Sequence, residues 1–328
     1  MRRLVLLFLH LASLAFAQEL ELHFIDVGQG DAILIRAPGG QNVLYDGGRQ
    51  TDDVLTYLRS LGVVHLDLVI ASHPDADHIG GLPAVVAAYQ PRYFMDDGMP
   101  HTTQTYLRLL RAVAQAGSQL LAPTARTLRL GEVTLQVLPP PGDPELPLND
   151  NSLGLLITYG QFQAALTGDA ETAEFHWWAS HHPDLLTHVD VYKAAHHGSD
   201  NGDTPLSMSR FYPEVVIISV GAGNSYGHPS DRALRLYRAI GARVLRTDLQ
   251  GSIVVHAQAD GSYRVLAERA MPTEPAPAAQ PAGVAPATQR NAGVRIACVL
   301  YNPAGSDDGR ERVMLAASSS VNVGGWVL

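Results

Sequence analysis

Between Ala71 and Gly81 the chain reads Ala-Ser-His-Pro-Asp-Ala-Asp-His-Ile-Gly-Gly, so His73, Asp75, Asp77 and His78 crowd into six residues. The run follows Leu66 to Ile70, an apolar stretch with the length of a buried strand, and Gly80-Gly81 lets a helix begin at Leu82 close behind it. Two imidazoles and two carboxylates on one tight turn repel or desolvate one another unless a cation sits among them. A chain carrying this loop must therefore fold so that a strand end delivers ligands to a metal, and mixed His and Asp donors suit divalent ions.

The N-terminus sets the compartment. Residues 1–17 combine Arg2 and Arg3, the apolar run Leu4 to Phe16 and the small-residue site Ala15-Phe16-Ala17, the pattern of a secretory signal peptide. The expected location of the mature protein is secreted or periplasmic. No later stretch reaches the ~20 consecutive apolar residues of a membrane-spanning helix. The chain holds 23 basic and 32 acidic residues, a formal net charge of −9, and removal of Arg2 and Arg3 with the leader leaves 21 against 32, or −11. That balance argues against a broad electrostatic surface for nucleic acid while allowing a local one. The one cysteine, Cys298, excludes an internal disulfide framework, so a hydrophobic core must hold residues 18–270 together.

Turn chemistry at Gly28-Gln29-Gly30 and Pro38-Gly39-Gly40 predicts a meander of three short strands, Leu22 to Val27, Ala32 to Arg36 and Asn42 to Tyr45, and periodicity a helix from Asp52. Strand Leu66 to Ile70, the ligand loop, helix Leu82 to Tyr89, strand Arg92 to Met95 and helix Thr103 to Ala116 then alternate as an α/β unit does. Two hairpins turn at Gly131 and Gly160. The β/α rhythm returns from Ala170 to Arg246, and a last hairpin turns at Asp260-Gly261. Two such halves imply two packed sheets with helices outside and the site along one edge. Residues 271–293, rich in Pro and Ala, read as a stiff linker, and residues 294–328 as a short strand-rich tail.

Further candidate residues also sit at strand ends. Leu166-Thr167-Gly168-Asp169 places a carboxylate just past a strand, Lys193-Ala194-Ala195-His196-His197-Gly198-Ser199 does so for two histidines, and Tyr226-Gly227-His228-Pro229-Ser230 for another. Singly each is a turn or capping residue. Together they are informative, because parallel strands deliver their C-terminal ends to one crevice. His176, His181, His182 and His188 flank Trp177-Trp178 without that placement and read as surface or packing residues. Arg232, Arg235, Arg238, Arg243 and Arg246 form the best local positive patch.

Taken with Phe24 to Ala32, Tyr45 to Gly48 and Asn149 to Leu153, these motifs resemble the metallo-β-lactamase superfamily, and within it the ComEC-like metallohydrolases, over Leu20 to about Ala267. The resemblance implies an α/β fold, the αββα four-layer sandwich, and two divalent metal ions. It implies one ion on His73, Asp75 and one of His196-His197, a second on Asp77, His78 and His228, Asp169 bridging, and Asp46 holding the ligand loop from behind. Asp75 stands where the superfamily usually has His. Asn149, Asp150, Asn151 and Ser152 stand where it usually has another, with Asn151 the candidate catalytic residue there. These oxygen-rich donors leave Zn and Mn equally ranked. Such ions suit phosphodiester hydrolysis, with Lys193, His196 and Ser199 expected to hold phosphate oxygens or protonate the leaving oxygen. Strand alternation and the turn at Gly198 favour His197 as the ligand and His196 as the residue facing substrate. The tail is similar to the opening third of a lamin-tail domain.

Three functions compete on this reading. The favoured one is a secreted nuclease acting on extracellular DNA or another phosphodiester. A phosphorylcholine-esterase-like hydrolase of small or wall-linked esters is the second, which the acidic balance favours. The third is a non-catalytic surface-binding module.

Overall fold

The computed structural model describes residues 19–269, 294–300 and 312–317. The expected signal peptide at 1–17 and linker at 271–293 lie outside them, and the tail is described only as two strands. The first half supplies β1 (Leu20–Phe24), β2 (Ile33–Arg36), β3 (Asn42–Tyr45), α1 (Thr51–Ser60), β4 (Leu68–Ile70), α2 (Ala76–Ile79), α3 (Leu82–Tyr89), β5 (Tyr93–Met95), α4 (Gln104–Ala116) and β6 (Gln119–Leu121). The second supplies β7 (Thr127–Leu130), β8 (Val133–Leu138), β9 (Gly154–Tyr159), β10 (Phe162–Leu166), α5 (Thr172–His181), β11 (Val191–Lys193), α6 (Pro205–Phe211), β12 (Val215–Ile218), α7 (Asp231–Ala239), β13 (Arg243–Arg246) and α8 (Thr247–Gln250). The hairpin β14 (Ile253–Ala257) and β15 (Tyr263–Ala267) then returns to the first sheet, pairing β14 antiparallel with β1. Val294–Leu300 and Arg312–Ala317, β16 and β17, form an antiparallel pair.

The sheets run β15-β14-β1-β2-β3-β4-β5-β6 and β13-β12-β11-β10-β9-β8-β7. Strand alternation decides how they stack, since successive side chains leave opposite faces. Leu20, Leu22, Phe24, Ile33, Ile35, Val43 and Tyr45 meet Leu155, Ile157, Phe162, Ala164 and Leu166 in one core between the sheets. The intervening Leu34, Leu44 and Val69 face outward to α1, α3 and α4, while Leu156, Ala165 and Tyr192 face α5, α6 and α7. Three apolar layers between four structural layers are the αββα sandwich.

Local chemistry sets the helix limits. Thr103 Oγ1 accepts the Tyr106 N–H to start α4, and Gly117 closes it in a left-handed conformation. Strand β6 escapes the periodicity reading because it has three residues and two of them, Gln119 and Leu120, are exposed. What matters for function is direction. β3, β4 and β5 are parallel, as are β10, β11, β12 and β13, so the loops after β4, β10, β11 and β12 converge on one edge. Among the described residues no helix is long and apolar enough to cross a membrane.

Behind that edge α5 carries Glu174, fully buried, whose Oε2 accepts the Ser152 N–H at 3.0 Å while Oε1 has no partner among the described residues. Burial, reinforced by Asp150, pushes this carboxyl well above the usual range. The folded protein therefore keeps a proton that the unfolded chain releases, and stability from this site is lost as pH rises above the ordinary Glu value. Glu174→Gln removes the ionisation. Its melting temperature should exceed that of the wild type by several degrees at pH 8, and the gap should close near pH 4; a pH-independent gap would mean that the carboxyl titrates alike in the folded and the unfolded chain.

Candidate metal centre

Asp46 anchors the ligand loop. It follows β3 in the left-handed region (φ 59°) and is fully buried. Its Oδ1 accepts the Ser72 N–H at 2.7 Å, and its Oδ2 accepts Ser72 Oγ–H at 2.7 Å and His78 Nδ1–H at 2.8 Å. Ser72 Oγ, its proton committed to Asp46, can accept from His73 Nδ1 at 3.0 Å. Both imidazoles are thus fixed in the tautomer that leaves Nε2 a free lone pair, the arrangement a ligating histidine needs. Close backbone approach completes the loop. A Cβ on Gly30 would stand 2.1 Å from the Asp77 carbonyl oxygen, which accepts the Asp31 N–H at 3.1 Å.

From the second sheet, His197 arrives on a turn in which His196 (φ 46°), His197 (φ 53°) and Gly198 (φ 75°) are all left-handed. Strand alternation anticipates a turn after His197, whereas the chain already turns at His196. Two non-glycine residues there store strain of about 1–3 kcal/mol each. The turn is held by His196 N–H to Gly168 O at 3.2 Å, Ser199 N–H to His196 O at 2.8 Å and Ala195 N–H to Asp203 Oδ2 at 3.0 Å. Asp203 is itself buried beneath the Tyr192 and Tyr237 hydroxyls, both at 2.7 Å. His197 Nδ1 donates to Ser219 O at 2.9 Å, so its Nε2 is also free.

Everything points at Asp169 Oδ2. It lies 3.3 Å from His78 Nε2, 3.3 Å from His197 Nε2, 3.7 Å from His196 Nε2 and 4.0 Å from His73 Nε2. His78 Nε2 and His197 Nε2 are only 3.3 Å apart, and His73 Nε2 is buried without a hydrogen-bond partner among the described residues. Burial pushes the Asp169 carboxyl up, but His197, His78 and Lys193 outweigh it and hold the group well below the carboxylate range. Lone pairs gathered around one carboxylate oxygen are what a divalent cation satisfies, so the residues fit a metal. Sets of three His and Asp ligand atoms within 4.8 Å of one another comprise His73-His78-Asp169, Asp77-His78-His197, Asp31-Asp46-His78 and Asp31-Asp169-His197.

The structure groups the expected residues differently. His197 joins Asp77 and His78, its Nε2 3.7 Å from Asp77 Oδ2, rather than completing a set with His73 and Asp75. His228 takes no place in these sets. Its ring lies 5.4 Å from that of His196 and 6.3 Å from that of His197, and burial beside His196 and His197 lowers its pKa to about 4. Asp75, half-exposed, borders His73 Nε2 at 3.7 Å.

Lys193 lies beneath the cluster and not on its open side. It is fully buried, ion-paired with the equally buried Asp31, bonded to Gly168 O at 2.9 Å and 3.5 Å from Asp169 Oδ1. Asn151 pins residues 143–147, accepting from Asp143 N–H and donating to Asp143 O, both at 3.0 Å. Ser199 Oγ donates to Asn201 Oδ1 at 2.6 Å and tightens its own turn. In the basic patch, Arg246 is committed to Asp248 at 2.9 Å.

Residues missed at first now enter. Asp31 neutralises Lys193, and its place inside Gly28-Gln29-Gly30-Asp31 was its only signal. Glu171 Oε1 lies 3.2 Å from His196 Nδ1, near enough for charge pairing although off the hydrogen-bond line, and accepts from Asn149 Nδ2 at 3.1 Å. Arg49, half-exposed, stands 3.9 Å from Asp77 Oδ1.

Residues 25–190 match the sequence profile of the Metallo-beta-lactamase superfamily. The chain belongs to this superfamily. It is 27% identical over 263 residues to ComE operon protein 3 of Bacillus subtilis (strain 168), covering 72% of this chain and 33% of that protein. It is 29% identical over 239 residues to Recombination protein 2 of Haemophilus influenzae, covering 71% and 28%. The chain thus spans a third or less of the length of these ComEC-like relatives. Among solved structures it is similar to the metallo-beta-lactamase fold protein YhfI from Bacillus subtilis, with TM-score 0.49, 14% identity and coverage of 73% of this chain and 100% of that one. The superfamily fold implies divalent-metal binding by the His and Asp cluster.

Asp46→Ala should weaken metal binding by about 10- to 100-fold, read by calorimetric titration with manganese and with zinc; unchanged affinity would show that Ser72 alone orients both imidazoles. His197→Ala should lose metal and activity together. His196→Ala should keep its metal and lose about 10²-fold or more in turnover. Metal loss confined to His196→Ala would reverse the two roles.

Proposed function

We propose that this chain is a binuclear phosphodiesterase, secreted or periplasmic, whose substrate is nucleic acid and foremost DNA. The observation that carries the reading is the convergence of three imidazole Nε2 atoms on Asp169 Oδ2, each Nδ1 already engaged by Asp46, Ser72 or Ser219. His73, Asp75 and Asp169 would hold one ion, and Asp77, His78, His197 and Asp169 the other. Two such ions would supply Lewis-acid charge and activate water as the nucleophile. Zinc suits the nitrogen-richer second set and manganese the oxygen-richer first, so the two metals rank together.

The protein's own groups do the rest. Arg49 presents a guanidinium beside Asp77, where it can hold a phosphate oxygen. His196, its Nδ1 turned to Glu171 and its Nε2 to the Asp169 side, is placed to protonate a leaving oxygen. Lys193 and Asp31 form a buried pair that fixes Asp169 from below. Relatives named for recombination and the ComE operon direct the substrate class towards DNA. The acidic composition supports a small ester as the second reading.

Asp169→Ala removes the carboxylate that would be shared by both ions, and it should abolish activity and strip metal. Wild type and variant are to be compared by elemental analysis and by hydrolysis of linear and circular DNA, RNA, phosphorylcholine esters and an aryl phosphodiester. Two ions retained in the variant would rule out the bridge, and cleavage of phosphorylcholine esters alone would establish the second reading.

A further inference from the structure

The rim of the site carries one exposed aromatic ring. Tyr226 is 59% exposed, the only aromatic among the exposed large hydrophobic side chains of the described residues. A lone exposed tyrosine needs no explanation by itself, but this one is built in. Its inner face stacks on His228, with ring centroids 5.6 Å apart and planes at 26°. His228 in turn abuts both His196 and His197, so Tyr226 lies two rings out from the ligand turn. More than half of the surface of Tyr226 remains exposed.

The loop bearing the pair is clamped by one side chain. Asn224 Oδ1 accepts the Tyr226 N–H at 3.1 Å and the His228 N–H at 3.0 Å, while its Nδ2 donates to His228 O at 2.7 Å and Gly221 O at 3.0 Å. Gly221 N–H is tied across to Gln29 Oε1 at 3.2 Å, beside the Asp31 turn. An aromatic face held in place beforehand binds a flat ligand without an ordering cost.

We propose that Tyr226 is a stacking platform for the nucleobase next to the scissile phosphate, and that the site therefore takes unpaired rather than duplex nucleic acid. This rests on the phosphodiesterase reading above. A base can lie face to face on Tyr226 only when it has left its own helical stack. A tyrosine face also accepts any base, so the preference concerns strand form and not sequence.

The test uses the metal-loaded full chain, Tyr226→Ala and Tyr226→Phe, with a single-stranded oligonucleotide bearing one 2-aminopurine, its duplex, and the same strand made abasic. Unchanged melting temperatures establish that the exposed substitutions leave the fold intact. Tyr226→Ala should raise KM on the single strand about tenfold, with the loss falling on KM rather than kcat, and Tyr226→Phe should restore it. The wild type should bind the abasic strand as weakly as the alanine variant binds the normal one. The 2-aminopurine fluorescence should be quenched by the wild type and by Tyr226→Phe but not by Tyr226→Ala. Equal KM for wild type and Tyr226→Ala, quenching by the alanine variant, or a wild-type preference for duplex would overturn the platform while leaving the nuclease reading standing. Failure of the wild type to bind or cleave any oligonucleotide would overturn both.

Discussion

Three carboxylates, Asp31, Asp46 and Asp169, are buried together at one edge of the sandwich, and the cost of removing them from water organises that edge. Each meets a different answer. Asp46 receives three hydrogen bonds from Ser72 and His78, Asp31 pairs with Lys193, and Asp169 is surrounded by imidazoles. Only the first two are fixed within the protein. Around Asp169 the Nε2 atoms of His78 and His197 each lie at 3.3 Å, a donor set that a cation would satisfy. Lys193 matters because it is the one permanent cation beneath the cluster, and breaking a buried pair from one side leaves an uncompensated charge.

The ligand loop was legible because its chemistry is local. His73, Asp77 and His78 lie within six residues, and strand, glycine pair and helix follow the order of the chain. The two-sheet plan was legible from the two α/β halves, each carrying ligands at its strand ends. What sequence could not supply was which side chains meet across the sheets. The motif around Lys193 reads as phosphate-binding, and only the tertiary structure brings Asp31, far away in sequence, beside it. Asn151 and Ser199 sat in the right motifs, yet their polar groups are used up on Asp143 and Asn201. Glu171 and Arg49 carried no signal, because single charged residues on a loop are ordinary until topology brings them to a histidine or to Asp77.

The placement of His197 and His228 shows the same limit at finer scale. Alternation treats the chain after β11 as if it were still a strand. Three successive left-handed residues break that assumption, directing His197 inward to Asp77 and His78 and leaving His228 stacked outside the ligand turn. The strain is sustained by Asp203, whose two tyrosine partners come from β11 and α7, so the ligand turn is tied to a strand and to an outer helix at once.

The return of the β14–β15 hairpin to the first sheet has a consequence for how the chain is made. Until Ile253–Ala257 emerges, β1 has only β2 beside it and offers an open edge, with nearly the whole sandwich already synthesised. Loop-closure entropy makes such distant pairing slow, and an unpaired edge is where chains associate wrongly.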